Sequence, residues 1–222
     1  DWRRLPTDEK AAMAEEFTAA LRSRGDRVEV RPFATQGLKQ DSDFFLWFVS
    51  RDLSDLQRLA VDLYQTALGP WLEVTHNYLS MTKPSPYGGS PEGSRPYTKA
   101  PANYLFIYPF VKTREWWALP LEERRRMMKA HIDMGAGFPS VRINTSYSFG
   151  LDDQEFVVAF ESDQPADFLD LVQKLRETEA SRYTLRDTPM FVGVATPIDN
   201  LLRLLAGKHG TLSLTPQARP TA

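Results

Sequence analysis

The chain has 222 residues, 42% of them hydrophobic and 25% charged, with 27 Lys+Arg against 29 Asp+Glu for a net charge of −2. That balance gives no support for nucleic-acid binding and argues against a fibrous or disordered chain. The absence of cysteine excludes disulfides, zinc ribbons, iron–sulfur clusters and cysteine nucleophiles, and no apolar run reaches the roughly 18 residues of a membrane helix.

In chain order, residues 7–24 place Met13, Phe17 and Leu21 on one helical face. A strand and turn follow around 27–37. Residues 43–50 read as a strand with both faces partly buried. Leu53, Leu56, Leu59, Ala60 and Leu63 mark a helix over 53–68, and 72–80 is a further strand candidate. Residues 84–101 hold five prolines and three glycines and form a linker. Beyond it come a strand over 104–109 ending at Pro109, a helix over 121–134, strands over 141–149 and 154–161, and a helix over 166–179. A strand over 190–195 and a helix over 198–205 precede a polar tail, 207–222.

The order repeats. Trp2-Arg3-Arg4-Leu5-Pro6 before the first helix matches Trp116-Trp117-Ala118-Leu119-Pro120 before the helix at 121, and Gly37-Leu38 matches Gly150-Leu151. The phenylalanine pair Phe44 and Phe156 continues the match. Each half reads as a ferredoxin-like unit, so the fold class is α+β with tandem ferredoxin-like repeats. The halves are 1–83 and 102–206. The strand that opens the second half has no counterpart in the first and is expected upstream of Asp1. Two such units either stack sheet on sheet or close into one barrel.

Chemistry-bearing residues are few. His209 lies in the tail, and His76 reads as a hydrogen-bonded strand histidine. His131 shares a helical face with Met127 and Met134, at the repeat position that Phe17 holds in the first half. A satisfied core histidine and a ligand are both open there. Glu122 to Arg126 read as a solvated helix face, and Asp152-Asp153 as a turn. No Walker motif, dinucleotide fingerprint, HExxH or nucleophile elbow occurs. Tyr108 and Lys112 read on their own as strand-edge and loop polarity.

Taken together, Tyr108-Pro109-Phe110-Val111-Lys112, Glu115-Trp116-Trp117, Leu119-Pro120-x-Glu122-Glu123-Arg124 and His131 resemble the chlorite dismutase-like haem proteins. Gly150-Leu151-Asp152-Asp153 and Leu175-Arg176-x3-Ala180-Ser181-Arg182-Tyr183 extend the resemblance over nearly the whole chain. It implies a dimeric α+β barrel, usually in a homopentamer, with haem in the C-terminal half only. It also implies one of two enzyme activities: splitting of chlorite, or conversion of iron-coproporphyrin III to haem b by peroxide-dependent decarboxylation of two propionates. A haem-binding protein without catalysis is a third possibility.

By that resemblance His131 is the proximal iron ligand and Glu179 the carboxylate behind its ring. Tyr108 is the tyrosine oxidised beside the reacting propionate, Lys112 assists proton transfer there, and Arg176 and Ser181 hold propionates. Ile143 occupies the distal position where chlorite dismutases carry arginine, with Arg142 next door on the opposite strand face. These residues favour coprohaem decarboxylation, with iron-coproporphyrin III and hydrogen peroxide as substrates and a cytoplasmic place in haem synthesis.

Overall fold

The computed structural model describes residues 2–88 and 102–207. Asp1, residues 89–101 of the Pro/Gly-rich linker, and the tail from 208 with His209 lie outside the described residues. The chain divides into two compact units, one running to His76 and resuming at Gly193, the other covering Asn77–Val192.

The first unit opens with α1 (Thr7–Arg22), which starts directly after Pro6. Strands β1 (Glu29–Ala34) and β2 (Phe44–Val49) pair antiparallel from Glu29↔Val49 to Ala34↔Phe44. Helix α2 (Leu53–Gln65) is capped by Asp52, whose carboxylate accepts the Ser54 N–H at 2.8 Å. The helix expected over 53–68 ends earlier, at Gln65, because Thr66 turns extended and its N–H goes to the Leu63 carbonyl.

The second unit opens with β3 (Tyr104–Lys112), followed by the short α3 (Arg114–Ala118) and by α4 (Leu121–Ala136). Then come β4 (Val141–Tyr147), β5 (Phe156–Ser162), α5 (Pro165–Glu177) and β6 (Thr184–Arg186). β5 is the central strand, antiparallel to β3 (Tyr104↔Ser162 to Phe110↔Phe156) and to β4 (Val141↔Ser162 to Tyr147↔Phe156). Pro109 does not end β3; it pairs with Val157 and the strand runs on to Lys112. An antiparallel ladder draws on the N–H of alternate residues along each side, so a single proline is tolerated. Strand β6 then pairs with the far end of β3.

β7 (Phe191–Ala195) begins in the second unit and finishes in the first, where Val194 and Ala195 pair with Ala34 and Phe33 of β1. Helix α6 (Ile198–Leu205) follows it there. The sequence halves thus need correction: the last helix belongs with the first unit, not with residues 102–206. The reason is burial. Leu201 and Leu202 join Phe17, Leu21, Leu59 and Leu63 in one core, and the Trp2 indole N–H donates to the Leu205 carbonyl at 2.8 Å. Gly193 permits the close strand approach, because a Cβ there would lie 2.7 Å from Phe33 Cβ.

The repeat is visible in the element lengths. α1 and α4 both span 16 residues after a proline of nearly identical backbone geometry, and α2 and α5 both span 13. The strand expected over 72–80 does not form. The segment is held instead by scattered contacts: Leu79 N–H to Asp152 Oδ2 at 2.8 Å, the Ser80 and Ser146 hydroxyls at 2.7 Å, and a two-bond backbone bridge from Met81 to Tyr147.

In the second unit alternation divides the sheet faces. Phe106 and Tyr108 on β3, Val158 and Phe160 on β5, and Val141 on β4 pack with Leu171 into one core, to which Phe168 and Leu175 of α5 and Phe138 after α4 add. This face carries the candidate site.

Candidate functional site

His131 sits on α4, one turn beyond buried Met127, which packs with Trp116 and Ala180. The ring is half-buried. Burial, with the positive charge of Lys112 added, lowers its pKa from 6.5 to about 4. The imidazole is therefore neutral at pH 7, the state a metal ligand requires. One turn further, a Cβ on Gly135 would lie 3.1 Å from Ile143 Cδ1, so α4 runs close over β4 at this point.

Tyr108 is buried on β3 and stacks on Phe160 at 5.9 Å between ring centroids. Burial raises its phenol pKa, Asp187 adds to the rise, and Arg176 opposes it. The hydroxyl stays protonated across the physiological range. Arg176, in the last turn of α5, forms an ion pair with Asp187 at 2.6 Å. These three residues share one electrostatic neighbourhood.

Lys112 lies on the same strand parity as Tyr108. It is buried, and its ammonium donates to the Ala180 carbonyl at 2.6 Å. It also lies over the Trp116 ring at 4.5 Å and the Phe110 ring at 5.3 Å. Burial lowers its pKa from 10.5 to about 8, with Glu155 opposing the shift. Glu155 accepts the Lys112 backbone N–H through Oε2 and the Trp117 indole N–H through Oε1, both at 2.8 Å.

Glu179 and Ser181 fall in a 3₁₀ turn, Glu179–Tyr183, rather than on a helix reaching 179. The Glu179 carboxylate pairs with Arg126 of α4 at 2.9 Å. The side chain that meets the His131 ring is Thr178, with Oγ1 3.2 Å from Nδ1. Ser181 is half-buried beside Ala180, the acceptor for Lys112.

On β4 the register assigns the faces. Ile143 pairs with Phe160 on the Tyr108 side, whereas Arg142 pairs in register with Glu161 and forms a buried ion pair with it. The Tyr108-side residues of β4 are Val141, Ile143, Thr145 and Tyr147, and none carries a charge. Of the remaining candidates, Asp152 makes a turn, accepting Leu79 N–H, Asp153 N–H and the Gln154 amide at 2.8 Å each. No cluster of three or more His, Asp or Glu suited to a metal ion occurs among the described residues.

One histidine held neutral on a helix, met by one hydroxyl and near a lysine, with a buried tyrosine and an arginine that feel each other's charge in the same unit, fits an iron porphyrin. The iron of such a ligand would take an imidazole nitrogen, and its rim carboxylates would take cationic and hydroxyl partners. For such a group His131 would offer the nitrogen, and Lys112, Arg176 and Ser181 would offer partners for carboxylates. Thr178, Asp187 and Glu155 were not legible in advance; a Thr directly before the Glu-Ala-Ser run is too common a pattern to single out.

Comparison with known proteins names the class. The chlorite dismutase family matches residues 10–196, and the chain belongs to that family, a family of haem enzymes. It is 33% identical to a coproheme decarboxylase of Mycolicibacterium smegmatis over 89% of this chain and 87% of that protein. It is 28% identical to the chlorite dismutase of Ideonella dechloratans, over 93% of this chain and 76% of that protein. A mutant chlorite dismutase from Candidatus Nitrospira defluvii superposes with a TM-score of 0.85 at 26% identity, covering 93% of this chain and 90% of that one. The α+β fold built on antiparallel strands is that of the chlorite dismutase structures. No helix among the described residues is long and apolar enough to cross a membrane.

Proposed function

We propose that this chain is a coprohaem decarboxylase: it binds iron-coproporphyrin III through His131 and converts two propionates to vinyl groups with hydrogen peroxide, yielding haem b. The observation that carries the reading is the face of β4. Ile143 stands there, and the neighbouring arginine is turned away and neutralised by Glu161. That face lacks the guanidinium with which a chlorite dismutase would hold an anionic oxidant. A tyrosine kept protonated lies on the same sheet face, at Tyr108.

When bound, the substrate's own iron activates peroxide. Each propionate gives up carbon dioxide, one proton and two electrons, and one peroxide takes up those electrons with two protons, one of them from solvent, and becomes two waters. Tyr108 serves as the relay, losing an electron and its proton and recovering both from the propionate chain. The neutral phenol suits this, because the hydrogen it exchanges is present before the reaction starts. Lys112 and Arg176 attract the porphyrin's carboxylates, and the Arg176–Asp187 pair opens to admit one. The apolar Ile143 gives peroxide no side-chain donor, so cleavage at the iron is slow unless water assists. The assembly accompanying this reading is a dimeric α+β barrel in a homopentamer.

The test is stepwise addition of peroxide to the protein loaded with iron-coproporphyrin III, read by porphyrin mass. Loss of two carboxyl groups, each with its hydrogens, is expected. Tyr108→Phe retains binding and loses this conversion. Full turnover by that variant refutes the tyrosine relay, and unchanged mass with rapid dioxygen release from chlorite refutes the decarboxylase reading.

A further inference from the structure

The ring contact of His131 carries more than its distance. Thr178 Oγ1 lies 2.7 Å from the Leu175 carbonyl and 3.2 Å from His131 Nδ1. A hydroxyl owns one hydrogen. The carbonyl can only accept, and its contact is the shorter, so that hydrogen points to Leu175. Toward the ring Thr178 is then left with lone pairs alone, and the proton of the second contact belongs to Nδ1.

We propose that Thr178 is the positioning residue of His131: its hydroxyl fixes the ring as the Nδ1–H tautomer and leaves Nε2 as the bare nitrogen that binds iron. The inference rests on His131 as the iron ligand. The relay from ring to hydroxyl to carbonyl ties α4 to the C-terminal end of α5, where Thr178 is the residue that terminates the helix.

The carboxylate expected behind the ring has a different task. Glu179 and Glu123 both pair with Arg126, at 2.9 and 2.6 Å. Glu179 is the residue after Thr178, yet its charge is directed along α4. The ring is therefore supported by a neutral acceptor. A neutral acceptor draws the Nδ1 proton less than a carboxylate does, so the imidazole donates less electron density to iron.

The test begins with the protein free of porphyrin, labelled with ¹⁵N-histidine. The chain has three histidines, and His131→Gln identifies the resonances of that ring. Near neutral pH the expected pattern for His131 is a protonated Nδ1 and an unprotonated Nε2. Thr178→Val shifts the ring toward the opposite tautomer, Thr178→Ser restores the original, and Glu179→Gln leaves it unchanged. In the haem-loaded protein Thr178→Val raises the iron reduction potential, and Glu179→Gln leaves it where it was. A protonated Nε2 in the unmutated protein overturns the proposal, as does a tautomer or potential that follows Glu179 instead of Thr178. Loss of His131 as ligand is read separately, by an unaltered porphyrin spectrum in His131→Gln.

Discussion

Replacing His131 with phenylalanine, the residue at the equivalent position of the first half, alters how the porphyrin-free protein responds to acid. Burial and Lys112 lower the His131 pKa from 6.5 to about 4. Between those values the unfolded chain holds a proton that the folded chain excludes, so stability falls as pH drops through the window and is restored as pH rises above 6.5. The full shift corresponds to ~2 kcal/mol lost between pH 7 and pH 5 and ~3 kcal/mol by pH 4. The ring is half-buried, and solvent screening brings the pH 5 figure nearer ~1 kcal/mol. Urea unfolding of the porphyrin-free protein at pH 7, 6 and 5 measures it. The difference in stability between the unmutated chain and His131→Phe should move steadily in favour of the variant as pH falls. A difference that is constant from pH 7 to pH 5 would mean that His131 is not held neutral and that its ring is not ready to bind a metal.

Other perturbations follow from the same geometry. Lys112 has a pKa of about 8, so its charge is present below that pH and lost above it. Coprohaem affinity, titrated optically, should weaken as pH rises past 8 in the unmutated protein and show no such limb in Lys112→Met. Leu59, wholly buried in the first-unit core, should cost ~2–5 kcal/mol on truncation to alanine, read as a lower urea midpoint. Gly193→Ala drives a methyl group into Phe33 and Phe45, and should cost ~1–3 kcal/mol while leaving porphyrin binding at saturation unchanged.

Much of the fold was legible because the signals were local and strong. Met13, Phe17 and Leu21 mark one helix face by spacing alone, and the Trp-x-x-Leu-Pro motif before two helices exposes the repeat. What the sequence hid depends on distant partners. Residues 72–80 have strand-like composition, but a strand needs a neighbour along its whole length, and here the contacts come singly from Asp152, Ser146 and Tyr147. Leu201 and Leu202 form an apolar helix face wherever they pack, so periodicity could not say which unit they join. At the site, resemblance supplied His131, Tyr108 and Lys112. The partner of the ring was missed by one residue, since a hydrophilic Thr-Glu pair at a helix end leaves open which side chain turns inward. Strand parity did separate Ile143 from Arg142 in advance, and the register agrees.

The return of α6 to the first unit has a consequence for the order in which the chain is made. As the chain leaves the ribosome, the segment up to His76 emerges before Asn77–Val192 but lacks Leu201 and Leu202, which close its core, until that stretch has been made. The stretch from Asn77 to Val192 contains its own sheet and its own apolar cluster, and is complete earlier. The part of the molecule that carries His131 is thus free to fold first, while the part that precedes it waits for the helix over 198–205.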